Sequence, residues 1–297
     1  MTVFQKALSP EQVQFLIGQN QDTVSGFIVN AADAVGARTP EDLFAVHGLG
    51  FPGSRWDPTA GFVHVLRFHD PLPLYVHKAM APEFVDRPPF TGTGFAPWSG
   101  GVVPLYFLDE SAIPAGAELW RVSAGGREDL VAVYMHAAYG WALVQTPPAG
   151  TPQPGRSIPS HIMGWNAVWC GHRFRADLVG DKAMLAAPTQ PPAEFGPFEQ
   201  MPRGCWSLEV PAAEVEDSFE LLATCTWRGE PFRITDVARG QDGQVFRVFY
   251  TGHNADRAEA LGLNKADAGV YWEVVPAEET SDNRVVENHM PSNLFGV

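Results

Sequence analysis

The period of the apolar positions changes at Gly61. Upstream, the chain reads as helical. Ser9-Pro10-Glu11-Gln12 combines an N-cap, a proline at the first helical position and a glutamine three residues after the cap, which predicts a helix running to about Gly18. Val24, Phe27, Ile28, Ala31 and Val35 recur at helical intervals between a cap at Asp22 or Thr23 and a stop at Gly36, predicting a second helix. A third follows Thr39-Pro40 and ends near Gly48. Downstream, Phe62-Val63-His64-Val65-Leu66-Arg67-Phe68 is rich in β-branched and aromatic residues and is bounded by His69-Asp70-Pro71, the pattern of a strand. Residues 74–77 and 102–108 are further short strands. Residues 117–122, 130–135 and 141–145 form a meander with turns at Ala124-Gly125-Gly126 and Tyr139-Gly140, so neighbours should pair antiparallel.

Pro147-Pro148-Ala149-Gly150-Thr151-Pro152-Gln153-Pro154-Gly155 can neither continue a helix nor supply ladder donors, and it predicts a linker over 147–160. Beyond it the chain repeats itself. Trp169-Cys170-Gly171-His172-Arg173-Phe174-Arg175 is echoed by Trp227-Arg228-Gly229-Glu230-Pro231-Phe232-Arg233. Each copy closes on a similar tail, Gly204-Cys205-Trp206-Ser207-Leu208-Glu209-Val210-Pro211 and Gly269-Val270-Tyr271-Trp272-Glu273-Val274-Val275-Pro276. Gln241-Asp242-Gly243 marks a hairpin turn in the second copy, and a short helix from Asn254 is replaced in the first by Pro191-Pro192-Ala193-Glu194-Phe195-Gly196-Pro197. The expected fold class is α+β: a helical N-terminus packed on an antiparallel sheet over 1–146, then two tandem small SH3-like β modules over 161–217 and 218–282, and a polar tail over 283–297.

The formal net charge of -14 argues against a nucleic-acid partner, because phosphate binding needs a surplus of lysine and arginine, and it suits a basic one. Cys170, Cys205 and Cys225 form no C-x-x-C pair and fit free thiols in a reducing compartment. With no signal-peptide pattern and no long apolar run, the expectation is a soluble cytoplasmic protein with no membrane partner.

No strong catalytic pattern stands out. His64, His69 and His77 surround one predicted hairpin, but no H-E-x-x-H or acid-rich cluster completes a site, so no metal and no cofactor are expected. Thr91-Gly92-Thr93-Gly94-Phe95 lacks the third glycine and the strand-to-helix setting of a phosphate loop. Trp98-Ser99-Gly100-Gly101 lacks the G-x-S-x-G order of a nucleophile elbow. An ADP-ribosyltransferase-like reading could use Arg121 in Leu119-Trp120-Arg121-Val122 and the acids of Glu214-Val215-Glu216. It fails on a missing Ser-Thr-Ser strand and on the linker between the two. Acidic residues instead cluster at equivalent places: Glu209, Glu214, Glu216, Asp217 and Glu220 around the first closing strand and beyond it, and Glu273, Glu278, Glu279 and Asp282 around the second. These nine are the candidate interface for a basic partner.

The Trp-x-Gly-x-x-Phe-Arg pairs at Trp169 and Trp227, the Val-Pro closing strands and Ile113-Pro114-Ala115-Gly116-Ala117-Glu118-Leu119-Trp120-Arg121-Val122 resemble modular actinobacterial immunity proteins that accompany secreted polymorphic toxins. The resemblance covers about half of the chain and carries no inhibitory residue. It implies an intracellular protein that binds a cognate toxin domain and occludes its active site. The alternative is a cytoplasmic enzyme or small-ligand binder with its site around His64, Arg67, His69 and Trp98; a general scaffold is a third reading.

Overall fold

A computed structural model describes residues 2–49, 56–57, 59–69, 75–80, 94–241 and 243–289. Asp70-Pro71, residue 74, Thr91-Gly92-Thr93, Asp242 and the tail beyond His289 lie outside the described residues.

The first half contains β1 (Val3–Leu8), α1 (Pro10–Val13), β2 (Thr23–Asn30), α2 (Pro40–Val46), β3 (Phe62–His69), β4 (Val76–Lys78), β5 (Phe95–Trp98), β6 (Gly101–Pro104), β7 (Tyr106–Ala112), β8 (Glu118–Ser123), β9 (Glu128–His136) and β10 (Gly140–Leu143). Eight of these strands form one sheet in the order β10-β9-β8-β3-β1-β2-β7-β4, and β5 and β6 form a separate hairpin. Alternation along β3 divides the core. Val63 and Val65 face a cluster with Leu43 and Val46 of α2, whereas Leu66 and Phe68 face Leu16, Ile17, Tyr134 and Trp141.

The α+β expectation is overturned here. Strands make up 53% of the structure and helical segments 12%, so no helical N-terminus packs on the sheet. Val3–Leu8 is a central strand, hydrogen-bonded to β2 on one side and β3 on the other. The apolar spacing that predicts a helix after Asp22 belongs to β2. Its pairing with β7 shifts register between Val24 and Gly26, where Gly26 adopts φ 94°. A bulge of this kind inserts one residue and breaks the two-residue period, so Val24, Phe27 and Ile28 mimic helical spacing. The helical turns at Ser9 and Thr39 do form, each with a reciprocal capping box.

The second half contains β11 (Gly164–Trp169), β12 (His172–Val179), β13 (Lys182–Ala187), β14 (Glu199–Gln200), β15 (Trp206–Pro211), β16 (Asp217–Trp227), β17 (Glu230–Arg239), β18 (Gln244–Tyr250), α3 (Ala255–Ala260), β19 (Asn264–Asp267), β20 (Val270–Pro276) and β21 (Thr280–His289). The repeated Trp-x-Gly motifs are two-residue hairpin turns. Cys170 and Gly171 have φ 51° and 70°, and Arg228 and Gly229 have φ 50° and 82°, the paired positive values of a turn matched to strand twist. In each copy a 3-10 turn, Ala212–Glu214 or Ala277–Glu279, precedes a strand that returns to pair with the opening one: β16 on β11, and β21 on β16. The copies are not separate small sheets. Strand β16 closes the first and opens the second, and both belong to one sheet of eleven strands.

The last arginine of each motif is buried where the two halves meet. Arg175 donates to the carbonyls of Trp165 and Ala176, at 2.7 and 2.6 Å. Arg233 donates to the Glu110 carbonyl at 2.6 Å, approaches Glu220 at 3.5 Å and lies over the Tyr75 ring. Nearby, Arg203 donates to Asp22 at 3.1 Å and to the Ala137 carbonyl at 2.6 Å. The Pro-rich segment contributes as well: the Gly155 N–H donates to the Gly18 carbonyl, and Ser157 donates to the Asn20 carbonyl.

Candidate functional site

The nine acidic candidates do not form one continuous patch. Glu220 is buried and held by Arg233 and Tyr75, which makes it part of the interior. Burial pushes its carboxyl up, against the opposing pull of Arg233. Glu209 pairs with Lys182 of the neighbouring strand, and the half-buried Glu273 accepts from Asn264. Glu214, Glu216, Asp217, Glu278, Glu279 and Asp282 are exposed. Glu216 accepts the Gly171 N–H, and Asp217 faces His289 at 3.1 Å. Glu279 accepts from the Trp227 indole.

Strand β21 connects these groups. It runs antiparallel to β16 from Thr280 opposite Trp227 to His289 opposite Phe219, and β16 is its one hydrogen-bonded neighbour among the described residues. Glu278 and Glu279 stand before its first residue, Asp282 near its start, and Glu216 and Asp217 beside its last. At about 3.3 Å per residue, the eleven-residue β16 separates the two acidic ends by roughly 33 Å. Between them, nearly every residue of β21 is exposed, including Val285 at 65% and Val286 at 44%. Long edge strands with exposed apolar side chains are templates for pairing with another chain, and soluble proteins usually blunt them.

The N-terminal candidates do not converge. His64 and Arg67 are an odd number of residues apart on β3 and so leave opposite faces. His64 is buried and accepts from Arg121 Nε at 3.3 Å; burial, then Arg121, lowers its imidazole to about 4. Arg67 makes a two-point pair with Glu128 at 2.9 and 2.7 Å and lies over Trp120. His69 is exposed at the end of β3. Trp98 packs near Gly36 and Gly100 at the β5–β6 turn. Arg121, the residue of the nucleotide-transfer reading, is held by His64, by the Phe62 ring and by the Ala149 carbonyl.

Two constellations arise from folding alone. His77 of β4, Asp109 of β7 and His253, in the turn after β18, meet where the halves join. His77 Nε2 lies 2.8 Å from Asp109 Oδ2, and His253 Nε2 lies 2.7 Å from Asp109 Oδ1. The hydrogen bond to Asp109 raises the His77 imidazole above its ordinary value. Burial would raise the Asp109 carboxyl, but the two imidazoles hold it below the usual range. The second is a cavity of about 230 Å³ between α1 and the β18–β20 region, edged by Lys6, Gln12, Glu110, Arg247 and Asp267. Burial raises the Glu110 carboxyl despite hydrogen bonds from Ser25 and Thr23. Sequence spacing carried no signal for either group, since their members come from opposite ends of the chain. Cys205 and Cys225 are buried thiols, raised by burial, and Cys170 is exposed in its hairpin turn.

No protein family, curated protein or solved structure matches this chain. No helix among the described residues is long and apolar enough to cross a membrane.

Proposed function

We propose that the chain is an immunity protein that binds a cognate secreted toxin domain in the cytoplasm and neutralises it by covering its active site. The observation that carries this reading is the exposed edge of β21, apolar at Val285 and Val286 and bracketed by exposed carboxylates. A basic partner segment laid along this edge would gain main-chain hydrogen bonds from the strand and charge complementarity at both ends. The net charge of -14 supports the same choice, because it speeds encounter with a basic face at low salt. The resemblance of the repeated motif to toxin-associated immunity proteins points the same way.

The test is to express the C-terminal domain encoded by the neighbouring reading frame in cells with and without this chain, followed by co-purification. Rescue with a stable complex is the expected result. Glu216→Lys with Asp217→Lys, and separately Glu278→Lys with Glu279→Lys, should each weaken association about tenfold or more at low salt and flatten its salt dependence. Toxicity unrelieved by the chain, with no complex, would refute the assignment. A complex insensitive to both charge reversals and to Val286→Lys would move the interface elsewhere.

A further inference from the structure

The geometry points to a divalent transition-metal site, with zinc as the best-fitting ion, formed by His77, Asp109 and His253. One donor atom from each side chain lies within 4.8 Å of the other two, and the imidazole rings are 4.7 Å apart between centroids. Two imidazoles and one carboxylate match three-residue protein zinc sites, whereas magnesium and calcium favour oxygen-only sets. Zinc bonds of about 2.0–2.2 Å place the donors of a tetrahedral site about 3.4 Å apart. Asp109 now meets His77 through Oδ2 at 2.8 Å and His253 through Oδ1 at 2.7 Å, so a site using one carboxylate oxygen needs the carboxylate to turn and the N–O separations to open by roughly 0.6–0.7 Å. Ligation needs both imidazoles neutral, with the Nε2 lone pairs turned to the ion in place of their hydrogen bonds to Asp109.

The surroundings hold the donors in place. Asp109 and His253 have side chains 11% and 12% exposed, while His77, at 35%, faces the more open side. Phe107 and the His253 ring meet in a T-shaped contact, with centroids 5.2 Å apart. His253 itself has φ 50°, a left-handed conformation that non-glycine residues seldom adopt, and one that is over-represented at functional positions. The donors also belong to different units, His77 and Asp109 to the first sheet and His253 to the turn leaving the second. The site is therefore assembled only in the folded chain, and an ion in it would clamp the two sheets together. This assignment stands apart from the partner surface on β21.

The full chain, stripped of metal with a chelator, should take up one equivalent of Zn²⁺ in competition with a chromophoric chelator, and its Tm should rise. Co²⁺ in its place should give the intense visible bands of a four-coordinate ion. His77→Ala and His253→Ala should each weaken binding by more than the 10- to 100-fold typical for loss of a mere supporting partner. Cys170→Ser and His172→Ala, exposed alternatives, should leave it unchanged. His77→Gln and His253→Gln, with circular dichroism of the wild-type form, provide the same test if the alanine variants unfold. Absence of stoichiometric binding at micromolar Zn²⁺, or binding undiminished in His253→Gln, would overturn the proposal.

Discussion

Lys6 Nζ donates to Asp267 Oδ2 at 2.6 Å, tying the central strand of the first sheet to β19 across 261 residues of sequence. The two partners are not equally dependent on each other. Lys6 has a side chain only 6% exposed, whereas Asp267 is 27% exposed and also accepts from Gln12 and from the Ala268 N–H. Burial alone would raise the Asp267 carboxyl, but Lys6 and these hydrogen bonds hold it below the usual range. Asp267→Ala strands a buried ammonium and should cost about 3–5 kcal/mol, while Lys6→Met leaves a carboxylate with other donors and should cost about 1–2 kcal/mol. Urea unfolding of both single variants and the double variant checks the asymmetry. Because the folded pKa of Asp267 is depressed, its contribution is full above the unfolded carboxylate range and is lost as pH falls through the lower folded value.

The buried last arginine of each repeat motif and the exposed Arg173 of the first should behave in opposite ways. Arg175 and Arg233 are 6% and 1% exposed and satisfy carbonyls and carboxylates at the junction of the sheets. Arg173 has a side chain 47% exposed, facing Glu287 at 3.9 Å. Arg233→Met removes the partner of buried Glu220 and the cation over Tyr75, so a loss of about 3–5 kcal/mol is expected. Arg173→Met should change stability by less than about 0.5 kcal/mol. Comparable unfolding midpoints for the two variants would contradict the assignment of the buried arginines as the joint between the halves.

What the sequence made legible follows from locality. The duplicated hairpins carry their own signal, because Trp-x-Gly fixes a two-residue turn and the two strands flank it directly. The first sheet is hidden in the sequence where its signals are non-local. Gln5 and Lys6 look like surface residues until His47 and Asp267, 42 and 261 residues away, supply their partners, so β1 gave no apolar alternation. In β2 the bulge at Gly26 disguised strand periodicity as helical. The acidic positions were visible, but their separation by the length of β16 was not, and neither was the internal role of Glu220. His77, Asp109 and His253 have no shared spacing at all, which is why a search for short metal-ligand patterns passes over them.

His47 makes stability depend on pH in a defined direction. It is 3% exposed beside Gln5, and burial, then the Lys6 charge, lowers its imidazole to about 3. The neutral ring is therefore favoured in the folded state, and the unfolded chain binds the proton first. Its contribution is complete above the unfolded value near 6.5 and is lost progressively as pH falls from there toward 3. Over that window one proton of difference corresponds to a slope of about 1.4 kcal/mol per pH unit. His47→Gln should flatten the wild-type stability profile by that amount between pH 6 and 4, as measured by urea titrations across the range. A parallel displacement of the two profiles would mean that His47 is not neutral in the folded chain.

The equivalent turn positions Cys170 and Arg228 offer the sharpest comparison between the copies. Both are non-glycine residues at φ near 50°, in a hairpin turn that favours asparagine followed by glycine, and both already precede glycine. A left-handed residue of ordinary type costs roughly 1–2 kcal/mol, which asparagine partly relieves through its local hydrogen bonding. Cys170 is exposed, so Cys170→Asn should stabilise the chain by about 0.5–1 kcal/mol. Arg228 differs because its guanidinium lies 4.2 Å from the centroid of the Trp227 ring. Removing that contact forfeits about 0.5–1 kcal/mol, so Arg228→Asn should come out near zero. Urea midpoints at unchanged m-values measure both, and an equal gain in the two copies would show that the cation over Trp227 contributes nothing to holding the strained turn.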